Sequence, residues 1–239
     1  MSDLKVAVCV PSTGSWKSLT GKCIADMVSS FEQAGYEGGN KEISILSMNG
    51  QLLECRQQLV FNAWKWATHI LFVDSDMVFP PDTIQRLLNH GKPIVGVNYS
   101  RRTMPARPVA YVDNDDQVGW LYTKEDSTGL VEVKHTGMGL MLIEVAVLDA
   151  IELPFFMFEP IAPHGVEFLS EDYYFCRKLK AAGIPVYVDQ DLSKAVEHIG
   201  ECHYTHTMVN VTENARLQII HGKREQALAE EKAAREAAE

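Results

Sequence analysis

The sequence has little of what a secreted, membrane-spanning or polyanion-binding protein needs. Among its 239 residues are five cysteines, Cys9, Cys23, Cys55, Cys176 and Cys202. They are scattered, odd in number and form no C-x-x-C pair, so reduced thiols in a cytoplasmic compartment are expected and a disulfide framework is not. No apolar run approaches the ~20 residues that a membrane-spanning helix requires, and the N-terminal M-S-D-L-K-V-A-V leads into a strand instead of a signal peptide. Positive charge is also short: 22 Lys and Arg against 32 Asp and Glu give a formal net charge of −10, which disfavours nonspecific binding to polyanions. The third glycine of a G-x-G-x-x-G fingerprint is missing. Gly137-Met138-Gly139 has Leu142 in its place and runs into a strand, not a helix, which excludes a dinucleotide-binding dehydrogenase. His198, Cys202, His203 and His206 lie close together, but no second Cys/His cluster completes a closed zinc tetrad.

What is present reads as one soluble α/β domain. Apolar residues at 46% and charged residues at 23% are near globular averages, and the length suffices for one large core. We place that domain at 1–210. Residues 211–239, rich in Ala, Glu, Lys and Arg, are expected to be an exposed C-terminal helix or tail, a candidate for homo-oligomer contacts. Val6–Val10 predicts a buried strand that breaks at the polar loop Pro11-Ser12-Thr13-Gly14-Ser15. A helix follows with Ile24, Met27, Val28 and Phe31 on one face, closed by Gly35, and then a strand over Glu42–Leu46. The next helix, Leu52–Trp66, keeps Arg56 off its apolar line, free to face a ligand.

The central stretch runs from Trp66 to Leu88. Ile70–Val73 is a continuous apolar run, the pattern of a strand buried on both faces, and it stops on Asp74-Ser75-Asp76. Acids two residues apart on an extended strand point to one side. Two like charges held so close call for a shared proton or a cation, and hard oxygen donors suit Mg²⁺ or Mn²⁺. Pro80 and Pro81 suit a helix start, Ile84, Leu87 and Leu88 form its stripe, and Asn89 and Gly91 end it. The acids therefore lie at the carboxyl end of a strand, where open α/β sheets bind ligands.

Further along, Pro93–Asn98 predicts a strand leading to a basic patch of Arg101, Arg102 and Arg107, suited to an anionic group. Ala110–Val133 reads as a hairpin-like insertion or edge region. The Gly137/Gly139 strand is a candidate cleft floor, since strand glycines mark close approach of a ligand. Phe155–Val166 reads as a long loop over a site, and Ser170 as the N-cap of a helix that begins Glu171-Asp172 and ends at Gly183. Ile184–Val188 is the last strand, before Val196-Glu197-His198-Ile199-Gly200.

The order of these parts, P-S-T loop, helix with Arg56, V-D-S-D, G-M-G strand, aromatic loop, S-E-D helix and H-I-G, resembles the GT-A glycosyltransferases, in particular family-2-like enzymes of bacteria and phages. The likeness covers roughly Lys5 to His206. It implies a GT-A, Rossmann-like mixed and mostly parallel sheet flanked by helices. It also implies a sugar moved from a nucleotide sugar, UDP-linked by expectation, to a hydroxyl acceptor: a glycan, a protein or a modified nucleic-acid base. By that resemblance Pro11, Ser12, Thr13, Arg56, Asp74 and Ser75 hold the nucleotide. Asp76 binds Mn²⁺ or Mg²⁺ directly with Asp74, and His198 completes the metal or diphosphate site, with His203 and His206 as substitutes. Glu171 and Asp172 are the catalytic pair, Asp172 serving as base if configuration inverts. A glycosidase is disfavoured, because its two carboxylates must flank the scissile bond. Two alternatives remain at this level: a metal-dependent nucleotidyltransferase or phosphoesterase using the same acids, and a non-catalytic nucleotide- or glycan-binding module.

Overall fold

The structure, a computed structural model, describes residues 3–103, 105–113, 118–161 and 167–201. By contacts the chain divides into a unit Met1–Ile199 and a second unit Gly200–Glu239. All elements below belong to the first. Cys202, His203, His206, the boundary at 210 and the tail 211–239 lie outside the described residues.

In chain order the elements are β1 (Leu4–Ser12), α1 (Ser18–Gln33), β2 (Lys41–Asn49), α2 (Leu52–Trp64), β3 (His69–Val73), β4 (Met77–Val78), α3 (Thr83–Asn89), β5 (Ile94–Gly96), β6 (Tyr111–Asp113), β7 (Val118–Trp120), β8 (Leu130–Val133), β9 (Leu140–Glu144), a 3-10 turn over Val145–Ala150, β10 (Glu159–Pro160), β11 (Phe168–Leu169), α4 (Glu171–Ala181), β12 (Val186–Asp189), α5 (Gln190–Ser193) and β13 (Glu197–His198). Seven of the strands form one sheet, ordered β2-β1-β3-β9-β5-β12-β8. Parallel pairing joins β1 to β2 and β3, and β5 to β12, while β9 is antiparallel to β3 and β5 and β8 is antiparallel to β12. All strands but β9 and β8 thus share one direction, the expected mixed and mostly parallel Rossmann-like α/β sheet.

Strand alternation explains the layers. In β1, Ala7 and Cys9 pack with Leu59, Val60 and Ala63 of α2, whereas Val6, Val8 and Val10 pack with Ile24, Met27 and Phe31 of α1. β3 repeats the division: Ile70 and Phe72 face the side that holds Phe175 and Leu179 of α4, and Leu71 and Val73 face Ile84 and Leu87 of α3. Both faces are buried, so these strands read as unbroken apolar runs. Each buried Val, Leu, Ile, Phe or Met among them contributes roughly 1.5–3 kcal/mol.

Several expectations are corrected. β1 does not break at Pro11 but continues to Ser12, because Pro11 lies beyond the last β1–β3 pair, Cys9 with Phe72, where a missing amide is tolerated. Pro80 and Pro81 precede α3, which starts at Thr83. The 110–133 stretch holds the hairpin-like and edge character expected of it: β6 and β7 pair as a separate antiparallel ribbon, and β8 forms the edge of the main sheet. The aromatic loop is in part core, with Phe155 and Phe156 buried, while Met157, Phe158 and Ile161 are exposed. Cys9, Cys23, Cys55 and Cys176 are free and buried. Among the described residues no helix is long and apolar enough to cross a membrane.

Candidate functional site

At the carboxyl edge of β3 the chain turns. Asp74 follows the strand and donates its amide to the Gly139 carbonyl at 2.9 Å, and Met77 N–H reaches back to the Asp74 carbonyl at 3.3 Å. D-S-D therefore lies in a tight turn between β3 and β4, not on extended backbone. Strand alternation does not apply to it, and the two carboxylates turn to different partners. Ser75 accepts the Lys17 amide at 2.8 Å, which ties this turn to the loop after β1. At the end of β1, Pro11 and Ser12 are buried, and the Ser12 hydroxyl accepts from Gly14 N–H at 3.2 Å, while Thr13, in the loop, is exposed.

Asp74 faces Arg56. The Arg56 guanidinium donates to Asp74 Oδ1 at 3.0 Å through one terminal nitrogen and to Glu171 Oε1 at 2.8 Å through the other. Its side chain is only 2% exposed, so the expectation that it stands free toward a ligand is corrected. Burial alone would lower the Arg56 pKa, but Asp74 and Glu171 outweigh it and hold the group more firmly charged. Burial raises the Glu171 carboxyl, with Arg56 pulling it back. Of the Arg56 guanidinium nitrogens, Nε is buried without a hydrogen-bond partner.

Asp76 faces Arg102 and His198 instead. Its Oδ2 lies 2.7 Å from a terminal nitrogen of Arg102, and its Oδ1 lies 3.4 Å from His198 Nε2. His198 arrives because β13 pairs antiparallel with β4, His198 opposite Met77, and Ile199 N–H donates to the Asp76 carbonyl at 2.8 Å. His198 Nδ1 is 2.9 Å from the Ser100 carbonyl, a pure acceptor, so Nδ1 carries the proton and Nε2 is directed at Asp76. Burial works against charge on both partners. The His198 hydrogen bond and Arg102 nonetheless hold Asp76 below the ordinary carboxylate range, and Asp76 and the Ser100 carbonyl raise His198.

The S-E-D segment places its acids apart. Glu171, 5% exposed, turns inward to Arg56, and Asp172 stays partly exposed. Ser170 is the N-cap by position but makes no side-chain cap bond; its hydroxyl bonds the Asp172 carboxylate, which also accepts Tyr173 N–H at 2.8 Å.

Two residues had no role in the sequence reading. Tyr99 is buried beneath the glycine segment, where a Cβ on Gly137 would come within 2.4 Å of its hydroxyl oxygen and one on Gly139 within 2.7 Å. The glycines thus admit Tyr99, not a ligand, which corrects their reading as a cleft floor. The Tyr99 hydroxyl accepts Gly139 N–H at 3.0 Å and its ring meets His198 edge-on at 5.2 Å. Asn98, 5% exposed, bonds the carbonyl of Leu121, the hydroxyl of Thr123 and the amide of Ala110, fixing the strand end that leads to Arg101 and Arg102. An aromatic predecessor to the basic patch was the only sequence signal for Tyr99.

Among the described residues no three or more His, Cys, Asp or Glu side chains are grouped to hold a metal ion by themselves. Asp76 with His198 is the pair whose chemistry fits one: a carboxylate beside an imidazole whose other nitrogen is fixed by a backbone carbonyl, the usual support of a metal-binding histidine. Mg²⁺-type ions are commonly held by one or two protein groups, with water and substrate phosphates supplying the rest.

No protein-family model matches the sequence, and no curated protein matches it. Among solved structures, the chain is similar to the crystal structure of A197 from STIV at 18% sequence identity, with a TM-score of 0.50 over 85% of this chain and 98% of that one. At that identity the likeness speaks to fold.

Proposed function

We propose that the chain is a divalent-cation-dependent glycosyltransferase that moves a sugar from a nucleotide sugar, UDP-linked in the first instance, to a hydroxyl acceptor. The observation that carries this reading is the convergence on one sheet edge of Asp76 with His198, 3.4 Å apart, and of Asp74 with Glu171 on a shared Arg56. Segments distant in sequence meet where α/β sheets bind ligands. The resemblance in motif order to GT-A enzymes supports the same reading.

Asp76 and His198 would hold Mn²⁺ or Mg²⁺, while Asp74 stays on Arg56. A cation bound there supplies Lewis-acid neutralisation of the charge that develops on the leaving diphosphate. Ser12, Thr13 and Ser75 line the nucleotide side. Arg56 acts as a positioning residue: it fixes Asp74 and Glu171, and so sets where α4 presents Asp172. For an inverting reaction Asp172 accepts the acceptor hydroxyl's proton, while for a retaining one it orients acceptor or sugar.

The test is a panel of nucleotide sugars with Mn²⁺, read by release of nucleoside diphosphate and by calorimetry. Release of UDP or another nucleoside diphosphate, lost at least about a hundredfold in Asp76→Ala, is the expected result. Pyrophosphate or orthophosphate as product would replace the reading by a nucleotidyltransferase or phosphoesterase. Affinity and turnover unchanged in Asp76→Ala would remove it altogether.

A further inference from the structure

Resting on that reading, we infer that Arg102 is an internal placeholder for the cation, covering Asp76 when the site is empty of ligand and transferring to the donor's diphosphate when a divalent ion arrives. Arg101 and Arg102 are adjacent but held differently. The Arg101 guanidinium lies 4.7 Å from the Trp120 ring centroid and 5.7 Å from that of Tyr173, and it bonds the Tyr173 hydroxyl. Arg102 reaches Asp76 Oδ2 at 2.7 Å with a side chain 53% exposed, and among the described residues Asp76 is its ion-pair partner.

Both Asp76 oxygens are thereby taken, Oδ2 by Arg102 and Oδ1 by His198. A divalent cation binding to Asp76 brings two positive charges against Arg102, whose half-exposed side chain is free on its solvent side to give way. The backbone does not follow the side chain. Arg101 N–H donates to the Arg107 carbonyl at 2.7 Å, Val109 N–H to the Tyr99 carbonyl at 3.0 Å, and Ser100 bridges Pro108, so both arms of the loop are pinned beside the site. The released guanidinium therefore stays within side-chain reach of whatever Asp76 binds. The anion brought there is a diphosphate, whose paired oxygens match the planar donor fork of arginine.

A placeholder makes a prediction that a merely structural arginine does not: its removal changes two affinities in opposite directions. Mn²⁺ alone, followed by electron paramagnetic resonance, should bind Arg102→Ala about fivefold more tightly than the parent chain, because the competing cation is gone. UDP, titrated by calorimetry at saturating Mn²⁺, should bind the same variant about tenfold more weakly, because a charge-assisted contact is lost. Arg102→Lys should restore most of the competition with Mn²⁺ but less of the UDP affinity. Both affinities unchanged, or both weakened together, would overturn the placeholder role. Asp76→Asn separates the two levels. If it abolishes Mn²⁺ binding while Arg102→Ala changes neither affinity, the metal site stands and the placeholder falls. If neither the parent chain nor Arg102→Ala binds Mn²⁺, both fall.

Discussion

Arg56 concentrates the electrostatics of this molecule on one side chain. It is 2% exposed and bridges a partly exposed carboxylate, Asp74, to a buried one, Glu171. Breaking a buried ion pair by removing one member costs about 3–5 kcal/mol, because the charge left behind is uncompensated. Arg56→Ala should therefore lower stability by roughly that amount and the melting midpoint by on the order of 10 °C. Arg56→Lys should recover only part, since an ammonium cannot serve two acids with separate nitrogens. Denaturant unfolding of the three chains checks this, and a loss under about 1 kcal/mol for Arg56→Ala would refute the role given to the bridge. The sequence indicated that Arg56 leaves the apolar line of its helix, and not that it is buried. Its partners stand 18 and 115 positions away, and no local pattern encodes a contact of that separation.

At the scale of elements, the glycine segment before β9 shows how a fixed backbone shapes the site. Gly137 and Gly139 leave room for Tyr99, which in turn backs His198. Gly137→Ala would press a methyl carbon to 2.4 Å from the Tyr99 hydroxyl oxygen, with Val109 Cβ 3.4 Å away. Overpacking of this kind costs typically ~1–3 kcal/mol. Tyr99→Phe removes the clashing atom, so the double variant should be less destabilised than the sum of the single ones. Urea midpoints in a double-mutant cycle measure the difference, and strict additivity would show that Tyr99 is not the obstacle. Much at this scale was legible in advance. The runs Val6–Val10 and Ile70–Val73 announced their strands, and the stripes of α1 and α3 announced the helices packed on them. The D-S-D turn was not legible: an apolar run shows where a strand is buried, but not that the backbone turns at the residue after it. The β13–β4 pair that delivers His198 is two residues long on each side, too short for any periodicity.

For the whole molecule, the relation of charge to fold decides what a metal can be for. The chain carries a formal net charge of −10, and the substrate proposed for it is an anion. Diffuse attraction of the whole protein for a nucleotide sugar is unfavourable, so the proposed function requires a local cation to supply the affinity. That cation is not required for the fold. Asp74 is paired with Arg56, and Asp76 with Arg102, so each acid already has a protein cation beside it. This is the reverse of a structural zinc site, where binding free energy is folding free energy. The two demands separate under a chelator. Treatment with EDTA should leave the protein folded and cooperatively unfolding, its melting midpoint lowered by no more than the few degrees that mass action of a bound ion supplies, while UDP affinity falls beyond detection and returns on adding Mn²⁺. Differential scanning calorimetry and isothermal titration on one sample read both quantities. Loss of the cooperative transition on chelation would mean that the ion supports the fold, and UDP binding that persists in EDTA would mean that the anion is held by the protein's own cations alone.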